Sequence, residues 1–204
     1  MNTVVLGDKK VKPSKVLCIG RNYVEHIKEL NNVIPDEMVV FNKPNSSISN
    51  RLRSFHQEAL HYEAEICFMV RRKKLAAVGF GLDLTKRDLQ SRLKEKRLPW
   101  ERAKAFDGSA VLSRFEPLDG ADIDDLNIEL FINGVRIQSG HVSQMLYPPR
   151  VILQELSRYT NLVTSDIVMT GTPAGVGVVY PGDIFTGRIK CGDKVIVEAE
   201  WVAD

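Results

Sequence analysis

The chain has 204 residues, 44% of them hydrophobic, which is enough to bury a sizeable core and suits one domain spanning 1–204. Its 28 Lys and Arg against 26 Asp and Glu leave a net charge of +2, so no overall field favours nucleic acid or an acidic membrane. Cys18, Cys67 and Cys191 are odd in number and lack a C-x-x-C pair, which speaks against a disulfide framework, and no apolar run suits a signal peptide or membrane span; a cytoplasmic protein is expected.

In chain order, the first strand-like segment is 16–19, followed by a short helix over 23–30. His26 and Glu29 are three apart, so on a helical turn they share a face. A carboxylate beside imidazole raises its basicity and fixes its tautomer, as a general base needs, although a histidine there also serves as an ordinary surface group. Asn31, Asn32 and Pro35 break the next stretch, so 29–37 is read as a lid. A strand over 38–41 leads to Lys43, one of two lysines, with Lys104, whose ammonium suits a substrate oxyanion or is simply solvated, and spacing does not decide between these.

The segment 63–70 carries Glu63 and Glu65. On a strand the side-chain period is two, so both glutamates point to the face that also carries Cys67 and Met69. Two carboxylates on an apolar face need neutralising, and a divalent cation compensates both; an exposed face with two solvated acids is the alternative. The run 71–74 reads as a solvated turn into a strand over 76–84, where Asp83 would add a third oxygen ligand suited to Mg²⁺ or Mn²⁺; a helix cap is the alternative, though Thr85 already suits that place. A helix follows over 86–96, with Thr85 and Asp88 as a capping box and Pro99 beyond its end.

Strands are expected over 126–132, 167–170 and 195–201. A helix follows Pro148-Pro149, and turns fall at Asn133-Gly134, Pro181-Gly182-Asp183 and Cys191-Gly192-Asp193. The run from Thr170 to Gly177 can form a nest of backbone N–H groups, but it lacks the Gly-Lys-Ser/Thr of a nucleotide loop, and by itself it reads first as an ordinary glycine-rich connection. The fold class is α+β, predominantly β.

Taken in order, seven pieces resemble the fumarylacetoacetate hydrolase family. They are C-I-G-R-N-Y-x-x-H, N-K-P, H-Y-E-A-E, L-D-L-T-x-R-D-L-Q, A-K-A-F-D, I-N-G and M-T-G-T-P-A-G-V-G, from about Lys15 to Trp201. The resemblance implies the family's mixed β-roll with a few short helices, usually a homodimer. It also implies Glu63, Glu65 and Asp83 as ligands of Mg²⁺, with Mn²⁺ or Ca²⁺ as alternatives. It gives His26, Glu29 and Lys104 catalytic roles, and it sets Arg21, Tyr23, Lys43, Gln90 and Thr172 against a small 2-oxo acid substrate. Ala103 and Ala105 depart from it, since the family usually has glycines beside that lysine. The implied reaction is hydrolysis of an acylpyruvate through a pyruvate enolate. Decarboxylation or keto–enol isomerisation of an oxaloacetate-like acid uses the same groups, and a catalytically silent metal or carboxylate binder is the non-enzymatic alternative.

Overall fold

The computed structural model describes residues 1–204. A hairpin of β1 (Val4–Leu6) and β2 (Lys9–Val11) is followed by β3 (Lys15–Gly20), α1 (Val24–Glu29), β4 (Val39–Pro44) and β5 (Ile48–Ser49). β6 (His61–Tyr62) precedes β7 (Ala64–Arg71) and β8 (Lys74–Asp83). β7 and β8 are joined at the expected charged turn, where Arg72 and Lys73 take φ of +50° and +59°. Then come α2 (Arg87–Glu95), α3 (Glu101–Lys104), β9 (Ala110–Pro117), β10 (Leu126–Ile132) and β11 (Val135–His141). α4 (Pro149–Tyr159) starts on its proline as expected, and β12 (Ile167–Met169), β13 (Gly177–Val178), β14 (Ile184–Cys191) and β15 (Lys194–Val202) complete the chain.

The protein is mostly β, as expected. A nine-stranded mixed sheet runs β2-β1-β9-β8-β7-β12-β3-β4, with β5 added on β9. β12 pairs parallel with β3 and antiparallel with β7. A four-stranded antiparallel sheet runs β11-β10-β14-β15, and β6 pairs with β13.

The sheets pack face to face. Ile66, Phe68, Phe80 and Leu82 from the large sheet join Ile128, Leu130, Phe185 and Ile189 from the small one in one buried cluster. Each such side chain contributes about 1.5–3 kcal/mol on burial. On the opposite face of the large sheet, Cys67, Met69, Phe115 and Met169 form a second cluster. α4 covers Leu17, Ile19 and Val168 with Ile152 and Leu156. β7 is therefore covered on both faces, which is why 64–70 is buried throughout. No helix is long and apolar enough to cross a membrane.

The capping box expected at Thr85 does not form. Lys86 is the N-cap of α2 and makes no side-chain cap, and Glu58 accepts from the Leu89 N–H at 3.2 Å instead. Thr85 is turned inward, where its hydroxyl has another use.

Candidate active site

Two neighbouring strand ends bring three acids together. Glu63 immediately precedes β7, Glu65 lies within it, and Asp83 ends β8. The antiparallel register sets Glu65 opposite Gly81, and the Asp83 N–H donates to the Glu63 carbonyl at 2.9 Å. One oxygen from each carboxylate lies within 4.8 Å of the others. The three residues are 6%, 2% and 1% exposed, which rules out a solvated strand face.

Burying three acids is costly unless charge or hydrogen bonds compensate them. The Lys104 ammonium spends its three donors on Glu63 Oε2 at 2.8 Å, Asp83 Oδ2 at 2.8 Å and Thr85 Oγ1 at 2.6 Å. Burial alone would lower its pKa, but Asp83 and Glu63 outweigh burial and hold it above the ordinary lysine value. Burial likewise opposes charge on Glu63, yet Lys104 and then Arg87, whose guanidinium bonds Glu63 Oε1, keep that carboxyl well below its usual range. α3 carries Lys104 without needing glycine beside it: Ala103 is helical and Ala105 has φ of −114°.

Glu65 is compensated differently. Its Oε2 accepts one N–H, from Gly171 at 2.7 Å, and no cation pairs with it. Burial, then Asp83 and Glu63, push its carboxyl well above the ordinary value. Asp83 Oδ1 is buried without a hydrogen bond, although Lys43 stands 2.8 Å away as an ion pair. Hard oxygen donors, one uncompensated acid and one orphaned carboxylate oxygen fit a divalent cation that prefers oxygen, such as Mg²⁺ or Mn²⁺.

These acids line a cavity of about 30 Å³ together with His26, Arg21, Gln90, Lys104 and Thr172. His26 is buried on α1, with Nδ1 3.2 Å from Glu29 Oε2. Glu29 is steadied from the other side, since its Oε1 accepts the Gly175 N–H at 2.9 Å. Gln90 accepts from Arg87 at 2.9 Å, and Thr172 Oγ1 accepts from Gln138 at 2.9 Å. Leu30 and Asn32 bring the segment after α1 to the cavity wall.

Lys43 and Tyr23 do not line this cavity. Lys43 is fully buried behind Asp83, with its ammonium spent on the Lys104 carbonyl and on Ser109. Tyr23 is 3% exposed and packs in the inter-sheet core, where burial and then Glu65 push its phenol up. Both were expected against substrate; in this structure neither forms part of the cavity wall.

Arg87, Lys94 and Trp100 also line the cavity and were not singled out from the sequence, and Asn32, read there only as a breaker, joins them. For Arg87 a signal existed, since it lies one helical turn before Gln90 and shares its face. Lys94, four residues after Gln90 on the same helix, carried the same signal, whereas Trp100 and Asn32 reach the cavity through packing of other segments.

A family model described as fumarylacetoacetate (FAA) hydrolase C-terminal matches residues 15–203. The oxaloacetate tautomerase YcgM of Escherichia coli K12 is 35% identical over 190 residues, covering 85% of this chain and 87% of that protein. The mitochondrial oxaloacetate decarboxylase of Dictyostelium discoideum is 36% identical over 200 residues, covering 87% and 88%. The fumarylpyruvate hydrolase of Pseudomonas aeruginosa, solved with Mn²⁺ and pyruvate, superposes with a TM-score of 0.88 at 27% identity, over 99% and 95% of the two chains. The match over nearly the whole length, on a fold of the same shape, means that this chain belongs to the fumarylacetoacetate hydrolase family.

Proposed function

We propose that the protein is a keto–enol tautomerase of oxaloacetate-like 2-oxo acids. The observation that carries this reading is the Lys104 ammonium, fixed by Glu63, Asp83 and Thr85 in a cavity that His26 also lines. Enolisation needs a base for the C3 proton and a cation for the oxygen that gains charge, and the cavity offers both.

In this reading Glu63, Glu65 and Asp83 hold Mg²⁺, with Mn²⁺ or Ca²⁺ as alternatives; Mn²⁺ is the ion named with the Pseudomonas neighbour. When bound, such a cation supplies Lewis-acid polarisation of the 2-oxo group. His26, oriented by Glu29, takes the proton from C3. The C–H pair becomes the C2–C3 double bond, the carbonyl π pair moves onto the 2-oxo oxygen, and that oxygen takes up one proton as His26 gives up the one it removed, so substrate and product are isomers and no co-reactant is consumed. Lys104 remains charged and stabilises the developing oxyanion. Gln90, Arg87 and Thr172 orient the substrate carboxylate.

The names of the Escherichia coli and Dictyostelium relatives support tautomerisation, with decarboxylation next, over the acylpyruvate hydrolysis first expected. Hydrolysis stays as a second reading because the His26–Glu29 pair also suits activation of water, and the Pseudomonas neighbour is named as such a hydrolase. The protein is read as a homodimer, as the resemblance implies. Three free cysteines agree with a reducing compartment, the cytoplasm in this reading.

The test is oxaloacetate with Mg²⁺, followed by enol absorbance and by pyruvate release, with fumarylpyruvate in parallel. Accelerated keto–enol equilibration that outpaces pyruvate release is expected. Cleavage of fumarylpyruvate with no effect on that equilibration would replace the tautomerase by a hydrolase. Inertness towards both acids would leave the binding module.

A further inference from the structure

Arg21 and Lys94 stand apart from the other cations of the cavity because neither has an acidic partner. Arg87 is paired with Glu63, and Lys104 with Glu63 and Asp83. Arg21 makes one side-chain hydrogen bond, from Nη2 to Asn32 Oδ1 at 3.3 Å, and its buried Nε has no partner. Lys94 ends in no ion pair, and its ammonium lies 5.2 Å from the centre of the Trp100 ring. The Arg21 guanidinium lies 5.8 Å from the same ring. The indole thus carries two cations that converge from β3's end and from α2. Arg21 is also held at φ +56°, a conformation that costs a non-glycine residue energy and that persists where the surroundings enforce it.

Two unpaired cations side by side repel, and partial burial deprives them of water. Burial, followed by Arg21 and Arg87, lowers the Lys94 pKa to about 8. An arrangement this unfavourable by itself becomes favourable when an anion enters between the charges. The cavity's charge count agrees: the carboxylates Glu63, Glu65 and Asp83 face Arg21, Arg87, Lys94 and Lys104, and a divalent cation would add two more positive charges. A substrate with one carboxylate leaves much of that positive charge uncompensated, whereas a dianion offsets more of it.

We propose that Arg21 and Lys94, seated on Trp100, form a second anion subsite that receives the distal carboxylate of the substrate and so selects dicarboxylic 2-oxo acids over monocarboxylic ones. This rests on the 2-oxo acid reading above and names the substrate class within it. The aromatic ring holds the two cations in place without neutralising them, which an acidic side chain would do. Arg21 contributes a planar fork matched to a carboxylate, and Lys94 a point charge.

The test compares oxaloacetate with 2-oxobutanoate, which carries a methyl group where oxaloacetate has its second carboxylate. Exchange of the C3 protons in D₂O with Mg²⁺ present is read by NMR, and binding of both acids by calorimetry. In Lys94→Met the preference for oxaloacetate, as a ratio of kcat/KM values, should fall about 10- to 100-fold, mainly through KM, the usual worth of a hydrogen bond to a charged group. Arg21→Gln should act in the same direction, and Lys94→Arg should recover most of the preference. An unchanged ratio in Lys94→Met overturns the subsite, as does an equal loss for both acids that Lys94→Arg fails to rescue. If the native protein exchanges neither acid, the tautomerase reading falls, and calorimetry alone decides on the subsite. Selective weakening of oxaloacetate binding in Lys94→Met then supports it, and equal affinities in the native protein refute it.

Discussion

Glu65 is the buried acid of the site with no cation beside it, and this gives it a measurable signature. In the metal-free protein its carboxyl keeps a proton well above its ordinary value of 4.5, because burial, Asp83 and Glu63 oppose its charge. The folded state then binds a proton that the unfolded state has released, so metal-free stability should fall as pH rises from 4.5 towards the folded value. Glu65→Gln keeps an acceptor for the Gly171 N–H and removes the titration. Urea denaturation should show that slope flattened and the metal-free protein no less stable at pH 7, while calorimetric Mn²⁺ binding is lost. Retained Mn²⁺ affinity would remove Glu65 from the metal site. Lys94 gives a second pH dependence. The charges that act on it are Arg21, Arg87, Glu63 and Lys104, and with its pKa lowered to about 8 it loses its proton as pH passes that value. The kcat/KM for oxaloacetate should therefore fall as pH rises through about 8. Lys94→Met should show no such limb and Lys94→Arg should move it out of range; an alkaline limb that persists in Lys94→Met assigns it to another group.

At the scale of elements, the acids were readable from the sequence because their relations are local. Glu63 and Glu65 are two apart on a strand, and Asp83 stands at the end of the next apolar run. His26 and Glu29 are similarly one helical turn apart. The Thr85 capping box looked equally local, yet it failed because Lys104, nineteen residues on, claimed the hydroxyl. Arg21, Lys94 and Trp100 meet through three separate segments, and no spacing rule brings them together. The glycine loop before β13 shows the same limit. Its residues left open an anion nest or an ordinary glycine-rich connection, and its Gly175 N–H serves Glu29, a protein carboxylate. Gly175 has φ of +101°, and a Cβ there would run into the backbone carbonyl of Ile137. Gly175→Ala should cost about 2–4 kcal/mol by urea denaturation, the left-handed strain adding to overpacking. It should also loosen Glu29 and with it the orientation of His26, lowering kcat more than it raises KM. A loss under about 0.5 kcal/mol, the range of an ordinary surface change, would mean that the loop adapts.

At the scale of the whole molecule, the fold depends on how closely two sheets approach, and one glycine sets that distance. β14 turns Phe185, Gly187 and Ile189 inward, the alternation of a half-buried strand with a glycine where an apolar side chain would stand. That gap, with Thr186 and Arg188 beside it, hid β14 from a reading of hydrophobic period, just as Ser113 and Arg114 hid β9. The missing side chain is explained from the other sheet. Phe80 of β8 occupies the space, so that a Cβ on Gly187 would lie 2.5 Å from its ring carbons, and the ring continues to Trp201 with centroids 5.9 Å apart. Gly187→Ala should thus wedge the sheets apart and cost about 1–3 kcal/mol, the range for overpacking a core. Phe80→Leu alone should also destabilise, because it removes ring contacts and leaves a void. Combined, the two changes should cost less than their sum, since the smaller side chain makes room for the new methyl. A double-mutant cycle by urea denaturation should return a coupling of at least about 1 kcal/mol. Additive losses would show that β14 relaxes around the methyl by itself, and that the approach of the sheets is set elsewhere in the core.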